Sequence, residues 1–99
     1  MRTESERTIY KYEFREGEKT YGEPYQMMVQ KGAIFLSMQV QRGIPCLWFL
    51  VDPKAHQEQR SFEIYGTGWD MPEKPGEYRG TYQLANGTLV FHVFETTGL

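Results

Sequence analysis

The sequence is short of the residues that most protein chemistry relies on. It has one cysteine, Cys46, and two histidines, His56 and His92. A single cysteine excludes an intrachain disulfide, and in an apolar stretch it fits a small core side chain. A reactive thiol would need a basic neighbour to lower its pKa, and none is adjacent in sequence. The histidines and the cysteine lie far apart without ligand spacing, so no metal site is expected. There is no basic excess: 11 Lys and Arg stand against 13 Asp and Glu, a net charge of −2, which argues against a duplex-DNA binder. No apolar run approaches the ~20 residues of a membrane span. The polar start, residues 1–7, lacks the apolar segment of a secretion signal. The serines are Ser5, Ser37 and Ser61, none framed by glycines as in a nucleophile elbow. The aspartates are Asp52 and Asp70, and no spacing points to an acid–base pair. A non-enzymatic protein without a cofactor is expected, in a reducing, cytoplasmic compartment.

What the chain does have is aromatic residues: seven Tyr, six Phe and two Trp among 99. It is organised around residues 44–51, IPCLWFLV, an uncharged run suited to a strand and too short for a good helix. Ile44, Cys46, Trp48 and Leu50 take one face; Pro45, Leu47, Phe49 and Val51 take the other. Both faces are mostly apolar, which predicts a central strand covered on both sides for much of its length. Pro45 is tolerable near the strand's start. Asp52-Pro53 ends it, with at most a short helical turn near residues 53–59.

The remaining segments alternate or turn. Tyr10, Tyr12 and Phe14 share one face of a half-buried strand. Residues 15–23 are charged and carry Gly17 and Gly22, a loop. Tyr25, Met27 and Val29 suggest a short edge strand. In residues 33–41, Ile34, Leu36, Met38 and Val40 are expected to face the core, and Arg42-Gly43 to turn the chain into residues 44–51 as a hairpin. Phe62 and Ile64 point inward from a strand over 60–65. Pro72, Pro75 and Gly76 keep residues 69–76 irregular. Gly80, inside a strand over 77–85, marks a bulge or a close approach. Asn86-Gly87 favours a type I′ turn into a second central strand, 88–95. The fold class is all-β, a single compact antiparallel β-sandwich or small β-barrel of about seven strands. One domain spans residues 8–95, with 1–7 and 96–99 as flexible tails.

The candidate ligand site is Tyr65-Gly66-Thr67-Gly68-Trp69. Two glycines let backbone N–H groups approach a ligand, Thr67 offers a hydroxyl, and Tyr65 and Trp69 could stack on a base; successive N–H groups in such a turn can hold an anion. Gly-x-Gly is a weak motif, and with no helix following it implies no dinucleotide fold. The plainer alternative is a tight loop whose tryptophan covers the end of the core. Arg79, beside Gly80, and Arg60 are candidates for phosphate contacts, and Tyr82 for a further stack. His92 sits mid-strand on the side of Val90 and Phe94, expected as a core or interface histidine.

The runs IYKYEF, AIFLSMQVQRGIPCLWFLVDP, FEIYGTG, GTYQL and LVFHVFE resemble a family of small proteins encoded by tailed phages and prophages. The resemblance covers residues 8–95 and is best at 41–53, 65–68 and 91–95; the start and the charged insert at 15–23 follow it less. It brings no catalytic residue. It implies a phage accessory protein made in the host bacterial cytoplasm. In that setting the leading expectation is a counter-defence sponge, a homo-oligomer that sequesters a cyclic-nucleotide or ADP-ribose-type immune signal. One alternative is an interaction module that inhibits a host protein by strand addition at residues 25–29. Another is a small virion or assembly component.

Overall fold

The structure is a computed structural model and describes residues 6–14 and 24–97. Its strands are β1 (Thr8–Glu13), β2 (Tyr25–Gln30), β3 (Ile34–Gln41), β4 (Ile44–Val51), β5 (Gln57–Gly66), β6 (Glu77–Leu84) and β7 (Leu89–Glu95). They form a three-stranded sheet, β1-β4-β3, and a four-stranded sheet, β2-β5-β7-β6, with every pairing antiparallel. The fold is therefore a sandwich and not a closed barrel. The expected loop at 15–23 and residues 1–5 and 98–99 of the expected tails lie outside the described residues. Thr96 and Thr97 are tied down: Thr96 N–H donates to the Ser61 carbonyl at 2.8 Å, and the Thr97 hydroxyl accepts from Ser61 N–H at 2.8 Å.

The core lies between the sheets. Leu47, Phe49 and Val51 descend from β4 onto Val29, Phe62 and Val93 of the other sheet, all essentially without solvent contact. Each such side chain contributes roughly 1.5–3 kcal/mol on burial. Aromatic edges fill the gaps: Phe14 meets Tyr25 and Phe62, and Phe49 meets Tyr12 and Phe35, in edge-on pairs.

The second face of β4 differs from the expectation. No further layer of the described residues packs on it; Ile44, Trp48 and Leu50 are half-buried, and only Cys46 is fully shielded. The cover is lateral. Lys11 Nζ reaches Gln41 Oε1 at 2.6 Å, a bond between β1 and β3 that passes over the central strand.

β3 corrects the expected phase as well. Ile34, Leu36 and Val40 are exposed, whereas Phe35 and Met38 pack on the core. The pairing with β4 shifts between Phe35 and Ser37, a bulge that absorbs Leu36. Odd positions face inward before it and even positions after it, so one alternating pattern cannot describe the whole strand.

The turns follow their residues. Arg42 (φ 53°) and Gly43 (φ 79°) form the two-residue β3–β4 connection, the mirror-image turn that matches strand twist. Asn86 (φ 56°) and Gly87 (φ 86°) turn the chain within a longer β6–β7 connection, residues 85–88, that also holds Ala85 at φ 50°; its short 3-10 turn, Ala85–Gly87, is closed by Thr88 N–H to the Ala85 carbonyl at 3.1 Å. No helix forms near residues 53–59. Asp52 instead accepts from Lys54 N–H on its side chain and Ala55 N–H on its carbonyl, and β5 starts already at Gln57.

Candidate functional site

At the end of β5 the chain makes a tight turn. Thr67 N–H donates to the Val90 carbonyl at 3.1 Å, and Trp69 N–H to the Gly66 carbonyl at 3.1 Å. Gly68 sits third in this turn at φ 89°, a conformation side chains disfavour. Gly66 serves a different need: a Cβ there would lie 2.6 Å from the indole of Trp69. The indole rests on bare backbone, with Phe91 edge-on at 6.2 Å, and remains 47% exposed.

The turn separates two shallow clefts. One, of about 270 Å³, is lined by Tyr65, Trp69, Met71, His92 and Phe94 with the turn itself. The other, of about 350 Å³, lies between Trp69 and the turn into β7, against Leu89 and Phe91. Tyr65 meets Phe94 edge-on at 5.9 Å, and Tyr78 meets Phe94 at 5.4 Å. Burial, reinforced by the neighbouring Glu63 carboxylate, raises the Tyr65 pKa above the ordinary phenol value. Tyr65 is therefore a neutral donor and stacking surface at physiological pH.

His92 stands at the floor of the first cleft with both ring nitrogens engaged. Nε2 lies 2.7 Å from the Thr67 hydroxyl and Nδ1 2.9 Å from that of Thr81; Thr81 in turn meets the Tyr78 hydroxyl. The Thr67 hydroxyl donates to the Val90 carbonyl, so it accepts from His92. That places the proton on Nε2, lets Nδ1 accept from Thr81, and lets Thr81 accept from Tyr78. A chain of hydrogen bonds thus runs from β6 across β7 and holds the turn to the sheet.

Of the sequence-predicted site residues, Tyr65, Gly66, Thr67, Gly68 and Trp69 come together. Arg60, Arg79 and Tyr82 do not, which corrects their expected part in ligand contacts. Tyr82 is buried against Phe91. Arg60 points into the core, where Nε donates to Glu95 Oε2 at 2.6 Å and Nη1 to the Ala33 carbonyl at 2.9 Å. Arg79 gives two hydrogen bonds to Glu95 Oε1, at 3.0 and 2.9 Å. The guanidiniums lie over Phe49 and Phe35 of the facing sheet. Both are held by a buried carboxylate, which is why neither reaches the cleft. Burial alone would raise the Glu95 pKa, but the hydrogen bonds and charges of Arg60 and Arg79 outweigh it and hold it below the usual carboxylate value.

The sequence reading missed His92, Phe94 and Met71 as cleft residues. The signal for two of them was alternation along β7, which puts His92 and Phe94 on one outward face beside Tyr65. Met71 lies within a glycine- and proline-rich stretch, residues 66–76, with no period to read.

A family model described as a domain of unknown function (DUF7352) matches residues 5–98. No curated protein and no solved structure matches the chain.

Proposed function

The chain belongs to the DUF7352 family, and from that premise and the aromatic cleft we propose a non-enzymatic binding protein that sequesters a nucleotide-derived signal through its base. The setting we propose is a phage-encoded counter-defence factor acting in the host bacterial cytoplasm. The observation that carries this reading is the half-exposed indole of Trp69, laid on Gly66 beside Tyr65 and His92. It offers a planar base an aromatic surface and neutral hydrogen-bonding groups.

With Arg60 and Arg79 engaged inside the sandwich, the phosphates of the ligand project toward solvent. Affinity then depends little on salt, unlike binding through a phosphate cradle. Calorimetric titration with ADP-ribose, cyclic dinucleotides and mononucleotides tests the proposal. Trp69→Ala is expected to weaken binding about tenfold or more, since a base–aromatic stack is worth roughly 1–3 kcal/mol, while the circular dichroism spectrum is retained. No binding by any of these nucleotides, or affinity unchanged in Trp69→Ala, would sink it.

A second reading, inhibition of a host protein by strand addition, is favoured by β2, which lies at a sheet edge and pairs with β5 without interruption. Co-purification of one host protein at fixed stoichiometry, abolished by a proline in β2, is its expected sign.

A further inference from the structure

The sandwich has four sheet edges, and they are not alike. β3 is bulged at Leu36 and β6 at Arg79, and these two edges pack on one another. A Cβ on Gly80 would lie 3.1 Å from Met38 Cβ, and the Arg79 guanidinium lies 4.8 Å from the Phe35 ring centre. Bulges and cover are the usual means of blunting an edge. β1 has neither. It pairs one-to-one with β4 from Thr8↔Val51 to Glu13↔Cys46, contains no proline, and leaves Ile9 56% and Tyr10 38% exposed. β2, the other unbroken edge, carries no charge with which to select a pairing register.

The backbone direction of β1 is fixed by Phe14, whose N–H donates to the Pro45 carbonyl at 2.9 Å. Even-numbered residues of β1 therefore turn their N–H and C=O groups to β4. Ile9 and Lys11 turn theirs outward.

We propose that β1 is the interface of a symmetric dimer, in which it pairs antiparallel with β1 of a second copy and joins the two three-stranded sheets edge to edge. A twofold axis normal to the sheet keeps both core faces on one side only if residues of equal parity oppose one another. Charge then selects among the allowed registers. With Tyr10 opposite Tyr10 of the second copy, Arg7 meets Glu13, and Ile9 meets the aliphatic stem of Lys11. Moving the axis to Lys11 sets lysine against lysine, and moving it to Ile9 sets Arg7 against Lys11; like charges directly opposite are destabilising. Moving it to Tyr12 also opposes Lys11 and Glu13 but pairs only residues 11–13 of the strand, so length as well as charge favours the Tyr10 axis. In the selected register Ile9 and Lys11 form the hydrogen-bonded pairs, as their outward backbone groups require. The Lys11–Glu13 ion pair, 3.5 Å, keeps Glu13 on the outer face where Arg7 of the second copy arrives. Complementarity of this strand to itself is what identifies a second copy as the occupant. The dimer is independent of the aromatic cleft.

Sedimentation velocity over a concentration series tests it. The wild-type chain is expected to reach twice its 11.7 kDa, with the amides of Ile9 and Lys11 protected from hydrogen exchange in the dimer. Ile9→Pro removes an outward N–H without touching the β1–β4 ladder and is expected to leave a folded monomer. Arg7→Glu and Glu13→Arg are each expected to weaken association severalfold, and the double swap to restore it. A wild-type chain that stays monomeric, or a dimer indifferent to Ile9→Pro and to the charge swap, overturns the proposal. Should Ile9→Pro fail to fold, the swap decides alone.

Discussion

Strand β7 carries two polar clusters on opposite faces, and they are built on different principles. On the inner face Glu95 holds the guanidiniums of Arg60 and Arg79, with aromatic rings of the facing sheet against both cations. On the outer face His92 is held between the hydroxyls of Thr67 and Thr81, all within reach of water. Removing two cations from solvent is costly unless a carboxylate compensates them, and Glu95 supplies that compensation with its side chain only 5% exposed. The outer cluster needs no such compensation. The contrast explains the character of the cleft: two arginines that the sequence offers as phosphate contacts are drawn into the interior. What stays beside Trp69 is aromatic and uncharged.

The contrast is broken most forcefully at Glu95. Glu95→Gln leaves the buried Arg60 guanidinium without a counter-charge and Arg79 with only the exposed Glu77 carboxylate at 3.4 Å, and a loss of about 3–5 kcal/mol is expected, measured by urea unfolding. The same network sets an acid limit. Because the folded-state pKa of Glu95 is depressed, its contribution is fully present above the ordinary carboxylate pKa, about 4.3. It is lost as pH falls through the lower, folded value. Wild-type stability should therefore decline below that range while the difference from Glu95→Gln narrows. A gap between the two proteins that stays constant down to the acid transition would show that the carboxylate is not acting through its charge.

The outer cleft was partly legible in the sequence and the inner network was not, for identifiable reasons. Gly66, Gly68 and Trp69 are close neighbours in the chain, so their meeting is a local matter of turn chemistry. The hairpin at Arg42-Gly43 and the turn at Asn86-Gly87 are legible on the same ground. Glu95 meets Arg60 across 35 positions and Arg79 across 16. Only the strand order β5-β7-β6 brings them together, and strand order leaves no periodic trace. Bulges add a second kind of illegibility. Leu36 slips the phase of β3, so Ile34 turns outward while Phe35 turns in, and Val40 shares the inward face of Met38 yet is exposed at the strand's end; the bulge at Arg79 sits beside the Gly80 that the sequence did mark. The two apolar faces of β4 predicted cover on both sides, whereas long polar side chains of β1 and β3 shelter the outer one.

A smaller substitution tests whether the two faces are mechanically separate. Gly66→Ala places a Cβ 2.6 Å from the Trp69 indole, and because that ring is half-exposed it is expected to swing away rather than unfold the strand. The cost is about 1 kcal/mol, with a red shift in tryptophan emission and the same loss of nucleotide affinity as Trp69→Ala. The acid limb set by Glu95 should be unmoved. A Gly66→Ala protein that alters that limb would show that the turn and the buried charges form one unit.

The smallest expected effect lies in the outer chain itself. Thr67→Val keeps the shape of the side chain but removes the acceptor for the His92 Nε2–H and the donor to the Val90 carbonyl. A buried network losing a member leaves stranded groups at full desolvation cost, whereas here water can take the place of the hydroxyl. A loss of no more than about 1 kcal/mol is expected, read by the same urea titration. The Thr67 N–H still bonds to Val90, so the turn keeps its place while the imidazole gains freedom to reorient. Histidine chemical shifts should report that freedom before stability does. A penalty approaching that of Glu95→Gln would mean that the outer chain is as structurally committed as the inner one. In that case His92 serves to hold the turn to the sheet, and the cleft's recognition must rest on Trp69 and Tyr65 alone.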